Sequence, residues 1–181
     1  MKTKIFCDIA DYETIKFFNN KTLVDGFTTN PSLMRSAGAK NYKDYSLKIL
    51  KVCKKKPISF EVFADNFKDM LKQAYEINSW GKNVYVKIPV VNSKGVFTGP
   101  VNQELSDKGI KLNITAVYTF KQTQKIYKKL NKKTISIISI FLFFLVKEIL
   151  FLKIGSGSLP LSAILPANME IIDLVFLFNF L

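Results

Sequence analysis

Over roughly its first 134 residues the chain alternates short runs of β-branched and apolar residues with longer stretches of helical period, and this rhythm does most to constrain its fold. Repeated strand-helix units pair their strands in parallel and pack their helices against the sheet. Strands are expected at 4 to 9, 24 to 29, 58 to 63, 84 to 88, 111 to 117 and 134 to 141, and helices at 11 to 19, 41 to 54, 66 to 79, 98 to 107 and 119 to 130. Several of the strand runs are apolar at nearly every residue, as in strands covered on both faces. In the stretch 41 to 54, Leu47, Ile49, Leu50 and Val52 supply an apolar stripe while Lys43 and Lys51 mark an outer face. Asn66 and Thr119 stand where helix N-caps belong. Six such units in succession describe an α/β chain winding a barrel.

The segment Asn83-Val84-Tyr85-Val86-Lys87-Ile88-Pro89 puts a lysine inside one of these apolar strands. Burial disfavours an ammonium, and a neutral amine attacks a carbonyl to form an imine. The alternative is a lysine on an exposed strand face. Other polar residues fall within or just after the remaining strands: Asp8 in the first, Asn30 after the second, Glu61 in the third, Asn113 and Thr115 in the fifth, and Ser139 in the sixth. In a parallel barrel the C-terminal strand ends converge on one mouth, where such residues read as catalytic. Each alone is equally a satisfied core polar group or a cap.

Composition narrows the chemistry. The absence of histidine excludes a histidine base, a Ser-His or Cys-His pair, and any imidazole metal site. Cys7 and Cys53 are too few for a disulfide framework, which leaves reduced thiols in a cytoplasmic protein as the simplest reading. The start, Met1 to Asp8, turns acidic before any apolar run long enough for a signal peptide. A net charge of +13 invites a nucleic-acid reading, but apart from Lys54-Lys55-Lys56 and Lys132-Lys133 the lysines are scattered. A compositional bias on solvated faces, with a phosphorylated small substrate drawn by the same field, is the simpler account; no nucleic-acid partner is expected.

With these residues in view, the chain resembles the small transaldolases. Ile5-Phe6-Cys7-Asp8-Ile9-Ala10 is similar to their opening strand, and Val24-Asp25-Gly26-Phe27-Thr28-Thr29-Asn30-Pro31-Ser32-Leu33 to their signature. Ser59-Phe60-Glu61-Val62, Val86-Lys87-Ile88-Pro89, the run Gly109 to Thr115 and Ser139-Ile140-Phe141 follow in the family's order. The resemblance implies a (β/α)8 TIM barrel of the class I aldolase type, here with about six βα units. It also implies transfer of a dihydroxyacetone unit between sugar phosphates in the pentose phosphate pathway. By the same resemblance Lys87 is the Schiff-base residue, Asp8 handles the proton of the departing hydroxyl, and Glu61 with Thr115 holds a relaying water. Asn30, Asn113 and Ser139, with Phe141, then face the substrate. No metal or organic cofactor is implied, and the family's dimers or larger rings imply a homo-oligomer. In the related fructose 6-phosphate aldolases a glutamine usually replaces the glutamate and a tyrosine the phenylalanine, so Glu61 and Phe141 favour the transferase.

After Phe141 the character changes. The family continues with a Gly-Arg pair whose arginine binds phosphate, whereas this chain reads Leu142-Phe143-Phe144, and its single arginine is Arg35. Residues 142 to 181 form an atypical hydrophobic tail, read as out of frame or truncated, beside a barrel portion at 1 to 141. Lys147-Glu148 interrupts the apolar stretch near its middle, so a membrane anchor is not favoured. An open sheet edge would make such a chain poorly soluble. An inactive fragment of a transaldolase is the competing reading from another class.

Overall fold

The computed structural model describes residues 4–140 and 170–172, and everything below concerns those residues. Along the chain run β1 (Phe6–Asp8), α1 (Tyr12–Asn19), β2 (Gly26–Thr28), α2 (Pro31–Ser36), α3 (Tyr42–Val52), β3 (Ile58–Glu61), α4 (Phe67–Ser79), β4 (Val84–Pro89), α5 (Gly99–Asp107), β5 (Leu112–Val117), α6 (Phe120–Tyr127), β6 (Ser136–Ile140) and β7 (Glu170–Ile172). The strands lie side by side in sequence order, every neighbouring pair parallel. Among the described residues five strand-helix units and a sixth strand therefore curl as an open part of a TIM barrel, with β7 paired to β6.

All six expected strands form, most of them shorter than expected. The first two are only three residues long, because β1 gives way to the Asp11 cap of α1 and β2 to the Asn30 cap of α2. The helix expected at 41 to 54 stops at Val52, ahead of the lysine run. One helix, α2, was not anticipated: Asn30 accepts from the backbone N–H of Leu33, and Pro31 sits at the first helical position where its missing N–H costs nothing. Asn66 and Thr119 do cap α4 and α6, the latter in a reciprocal capping box with Gln122. The hydrophobic tail after Phe141 lies outside the described residues apart from the β7 backbone.

Side-chain direction alternates along each strand, and the two faces carry different chemistry. Cys7, Phe27, Ile58, Phe60, Val84, Val86, Ile88, Leu112, Ile114, Ile138 and Ile140 belong to the large core between sheet and helices. The opposite face turns into the barrel. Its lower layer is a small cluster of Phe6, Tyr85 and Ile137, and Gly26 belongs to this layer because a Cβ there would stand 2.3 Å from the Phe6 ring. The strands are thus largely apolar on the helix side and mixed on the interior side, so the expectation that several are apolar at nearly every residue holds for their helix-facing positions.

Candidate active site

One step above that lower layer, the interior positions become polar on every one of the first six strands. Parallel register sets Asp8 beside Thr28, Thr28 beside Ser59, Glu61 beside Lys87, and Lys87 beside Asn113. Thr115 and Ser139 are two residues beyond Asn113 and Ile137 and share their face. Eight side chains from six strands thereby line one wall, although no two neighbouring strands are joined by fewer than a dozen residues of chain.

Lys87 stands in the middle of this wall with 7% of its surface exposed. Its Nζ donates to the backbone carbonyl of Thr29 at 3.1 Å and lies 3.5 Å from Glu61 Oε2. Burial pushes the Glu61 carboxyl above the usual glutamate range; the Lys87 charge and hydrogen bond pull the other way, and the Asp8 charge adds to the rise. Asp8, at the exposed end of β1, accepts a 2.6 Å hydrogen bond from the Thr28 hydroxyl. The amine thus has a carboxylate beside it and a second carboxylate farther along the interior face.

Beneath Lys87 a buried hydrogen-bonded chain crosses the interior. Ser139 Oγ donates to Asn113 Oδ1 at 2.7 Å, and Asn113 Nδ2 donates to Ser59 Oγ at 3.0 Å. Asn113 has no exposed surface at all. Both ends of its amide are used, which fixes the orientation of the group directly beside the lysine. Thr115 is buried near the mouth of β5, where the register with β6 shifts and Ala116 takes a positive φ of 56°. This local bulge is the one left-handed non-glycine residue among those described, and it lies next to a candidate site residue, as such strain often does.

The structure brings Lys87, Glu61, Asn113, Thr115, Ser139 and Asp8 together on the interior face. Asn30 is at the mouth end of β2, with its Oδ1 committed to capping α2. Phe141 lies outside the described residues. Sequence reasoning missed Ser59, Thr28 and Thr29 as members of the site. Ser59 shares the period-two phase of Glu61 on β3, and Thr28 lies two residues before Asn30, so both were open to discovery by alternation; the Thr29 contribution is a backbone carbonyl, which no side-chain pattern signals.

A lysine amine, an adjoining carboxylate and a row of hydroxyl and amide groups thus lie together inside a parallel barrel, and an unprotonated amine has the chemistry to add to a carbonyl. A family model described as Transaldolase/Fructose-6-phosphate aldolase matches residues 5–143, and the chain belongs to that family. Among curated relatives, a "Probable transaldolase" of Methanococcus maripaludis is 40% identical over 123 residues, covering 66% of this chain and 53% of the relative. One from Nitrosopumilus maritimus is 40% identical over 116 residues, covering 64% and 50%. One from Streptococcus equi subsp. zooepidemicus is 36% identical over 121 residues, covering 66% and 53%. The chain spans about half the length of the curated relatives it matches. No helix among the described residues is long and apolar enough to cross a membrane.

Proposed function

We propose that this chain carries the Schiff-base wall of a transaldolase, which moves a three-carbon dihydroxyacetone unit from a ketose phosphate to an aldose phosphate. The observation that carries the reading is Lys87, buried in the barrel interior between the Thr29 carbonyl and the Glu61 carboxylate, with Asn113 as its strand neighbour.

The Lys87 amine adds to the ketose carbonyl, and loss of water from the carbinolamine leaves an iminium. Glu61 and Thr115 hold the water that carries protons in this step. Asp8 takes the proton of the C4 hydroxyl while the C3–C4 bond breaks; its electron pair moves into the iminium, giving an enamine and a free aldehyde. The enamine carbon then attacks the acceptor aldehyde, Asp8 returns its proton to the new alkoxide, and water releases the product from Lys87. The remaining N–H of Asn113 and the amide of Asn30 donate to the hydroxyls of the three-carbon unit, the Ser139 oxygen accepts from one of them, and the fixed amide of Asn113 costs little reorganisation. The basic charge of the chain favours phosphorylated substrates.

Borohydride reduction in the presence of fructose 6-phosphate tests this. The expected result is a reduced three-carbon adduct on Lys87, found by peptide mass and absent from Lys87→Met. A folded chain that gives no adduct rules the reading out. Adding erythrose 4-phosphate then separates transfer, which forms a seven-carbon product, from simple release of dihydroxyacetone as in the aldolase branch of the family.

A further inference from the structure

The backbone of β3 has an unusual arrangement at Glu61. In a parallel strand, alternate residues direct their N–H and C=O to opposite neighbours. Ile58 and Val62 donate toward β4, to Asn83 and Lys87 carbonyls, so the N–H and C=O of Glu61 point toward β2. But β2 has already ended: Thr29 N–H bonds to the Ser59 carbonyl, and the chain then turns at Asn30 into α2. The strand partner that Glu61 would use is missing.

The Tyr42 phenol fills that position. From the first turn of α3 its hydroxyl accepts from Glu61 N–H at 2.9 Å and donates to Glu61 C=O at 3.1 Å, reproducing with one oxygen what a neighbouring strand does with two backbone groups. The ring is held edge-on to Phe63 at 5.6 Å and tilted against Trp80 at 6.0 Å. We propose that Tyr42 is a positioning residue for Glu61: by substituting for the absent strand it fixes the backbone from which the carboxylate reaches Lys87. This rests on the reading of Lys87 and Glu61 given above as reactive partners. The groups facing Glu61 are Lys87 from β4, Asp8 from β1 and Tyr42 itself from α3, and the Tyr42 hydroxyl is held neutral by burial.

Tyr42→Phe keeps the ring and removes the oxygen. Tyr45→Phe is the matched control, since the Tyr45 hydroxyl also donates to a backbone carbonyl, that of Ala37, without touching Glu61. Two readouts apply: the titration of Glu61 by carbon NMR of its carboxyl, and the rate of borohydride-trapped adduct formation on Lys87. In Tyr42→Phe the end of β3 relaxes, so the Glu61 pKa is expected to fall back toward its ordinary value and trapping to slow by about tenfold. Tyr45→Phe should change neither. A Tyr42→Phe chain that matches wild type in both overturns the proposal, as does one whose only change is lower stability. If wild type forms no adduct, the functional reading fails while the Glu61 titration still decides the positioning. Should Tyr42→Phe not fold, amide exchange at Glu61 in the wild-type chain decides instead: protection comparable with the neighbouring strand amides is expected, and exchange at an unprotected rate overturns the proposal.

Discussion

The interior hydrogen-bonded chain allows a sharp test. Asn113→Ala removes two buried bonds at once and leaves the Ser59 and Ser139 hydroxyls, both buried, without their partner. Each lost bond is worth about 1 kcal/mol net, and a stranded buried hydroxyl adds to that, so a loss of ~2–4 kcal/mol is expected. Ser59→Ala breaks one bond and strands one Asn113 N–H, for ~1–2 kcal/mol. Because the two share a bond, the double variant should lose less than the two single losses together, by about 1 kcal/mol. Urea unfolding followed by circular dichroism measures all four chains. At a slope of about 1–3 kcal/mol per molar for urea, Asn113→Ala should bring the midpoint down by about 1 M or more. Asn113→Ala within about 0.5 kcal/mol of wild type, or strict additivity with Ser59→Ala, would show that the amide does not bridge the two strands as described.

Two further outcomes follow from the same geometry. In Gly26→Ala the new Cβ would meet the Phe6 ring at 2.3 Å and the Pro57 carbonyl at 2.8 Å, so a loss of ~1–3 kcal/mol in thermal unfolding is expected, with Phe6→Leu restoring only the part due to the ring. For Glu61, a carboxyl whose folded pKa is raised keeps its proton longer in the folded chain than in the unfolded one, so its contribution to stability is full below about pH 4.5 and is lost as pH rises through the folded value. The stability of wild type relative to Glu61→Gln should therefore decline with rising pH across that window, and a flat or rising difference in denaturant titrations at several pH values would contradict the burial-dominated shift.

Much of this was legible in the sequence because apolar period and polar exceptions report different things. The rhythm of β-branched runs located all six strands, and a lysine among Val86, Ile88 and Pro89 was conspicuous because that strand is otherwise apolar. What was not legible depends on pairing. The alignment of Asp8 with Thr28, or of Lys87 with Asn113, is a property of register, which helix packing sets across long connections. The short helix α2 escaped because Thr29-Asn30-Pro31 reads as a turn, and only the bond from Leu33 N–H to Asn30 shows it to be a cap. The Thr29 carbonyl and the Tyr42 phenol serve the site through backbone groups, which have no compositional signal.

The two faces of the sheet divide the work of folding from that of chemistry, and this explains how a wall so rich in polar groups is held. The helix-facing residues, from Cys7 to Ile140, bury an apolar surface in one continuous core between sheet and helices. Among the described residues the interior face has Phe6, Tyr85 and Ile137 as its apolar floor, and above them the buried Asn113 and Lys87 are partnered locally, Asn113 by two serines and Lys87 by a carbonyl and a carboxylate, while Asp8 at the exposed end of β1 takes a threonine hydroxyl. Such pairing is required, since an unpartnered buried polar group costs more than its bond returns. Glu61 is the exception in degree. Its carboxyl is raised by burial despite the lysine beside it, and its backbone relies on a tyrosine where a strand should be. The least comfortable residue of the wall is thus the one set against the amine, and substitutions there should alter protonation before they alter the fold.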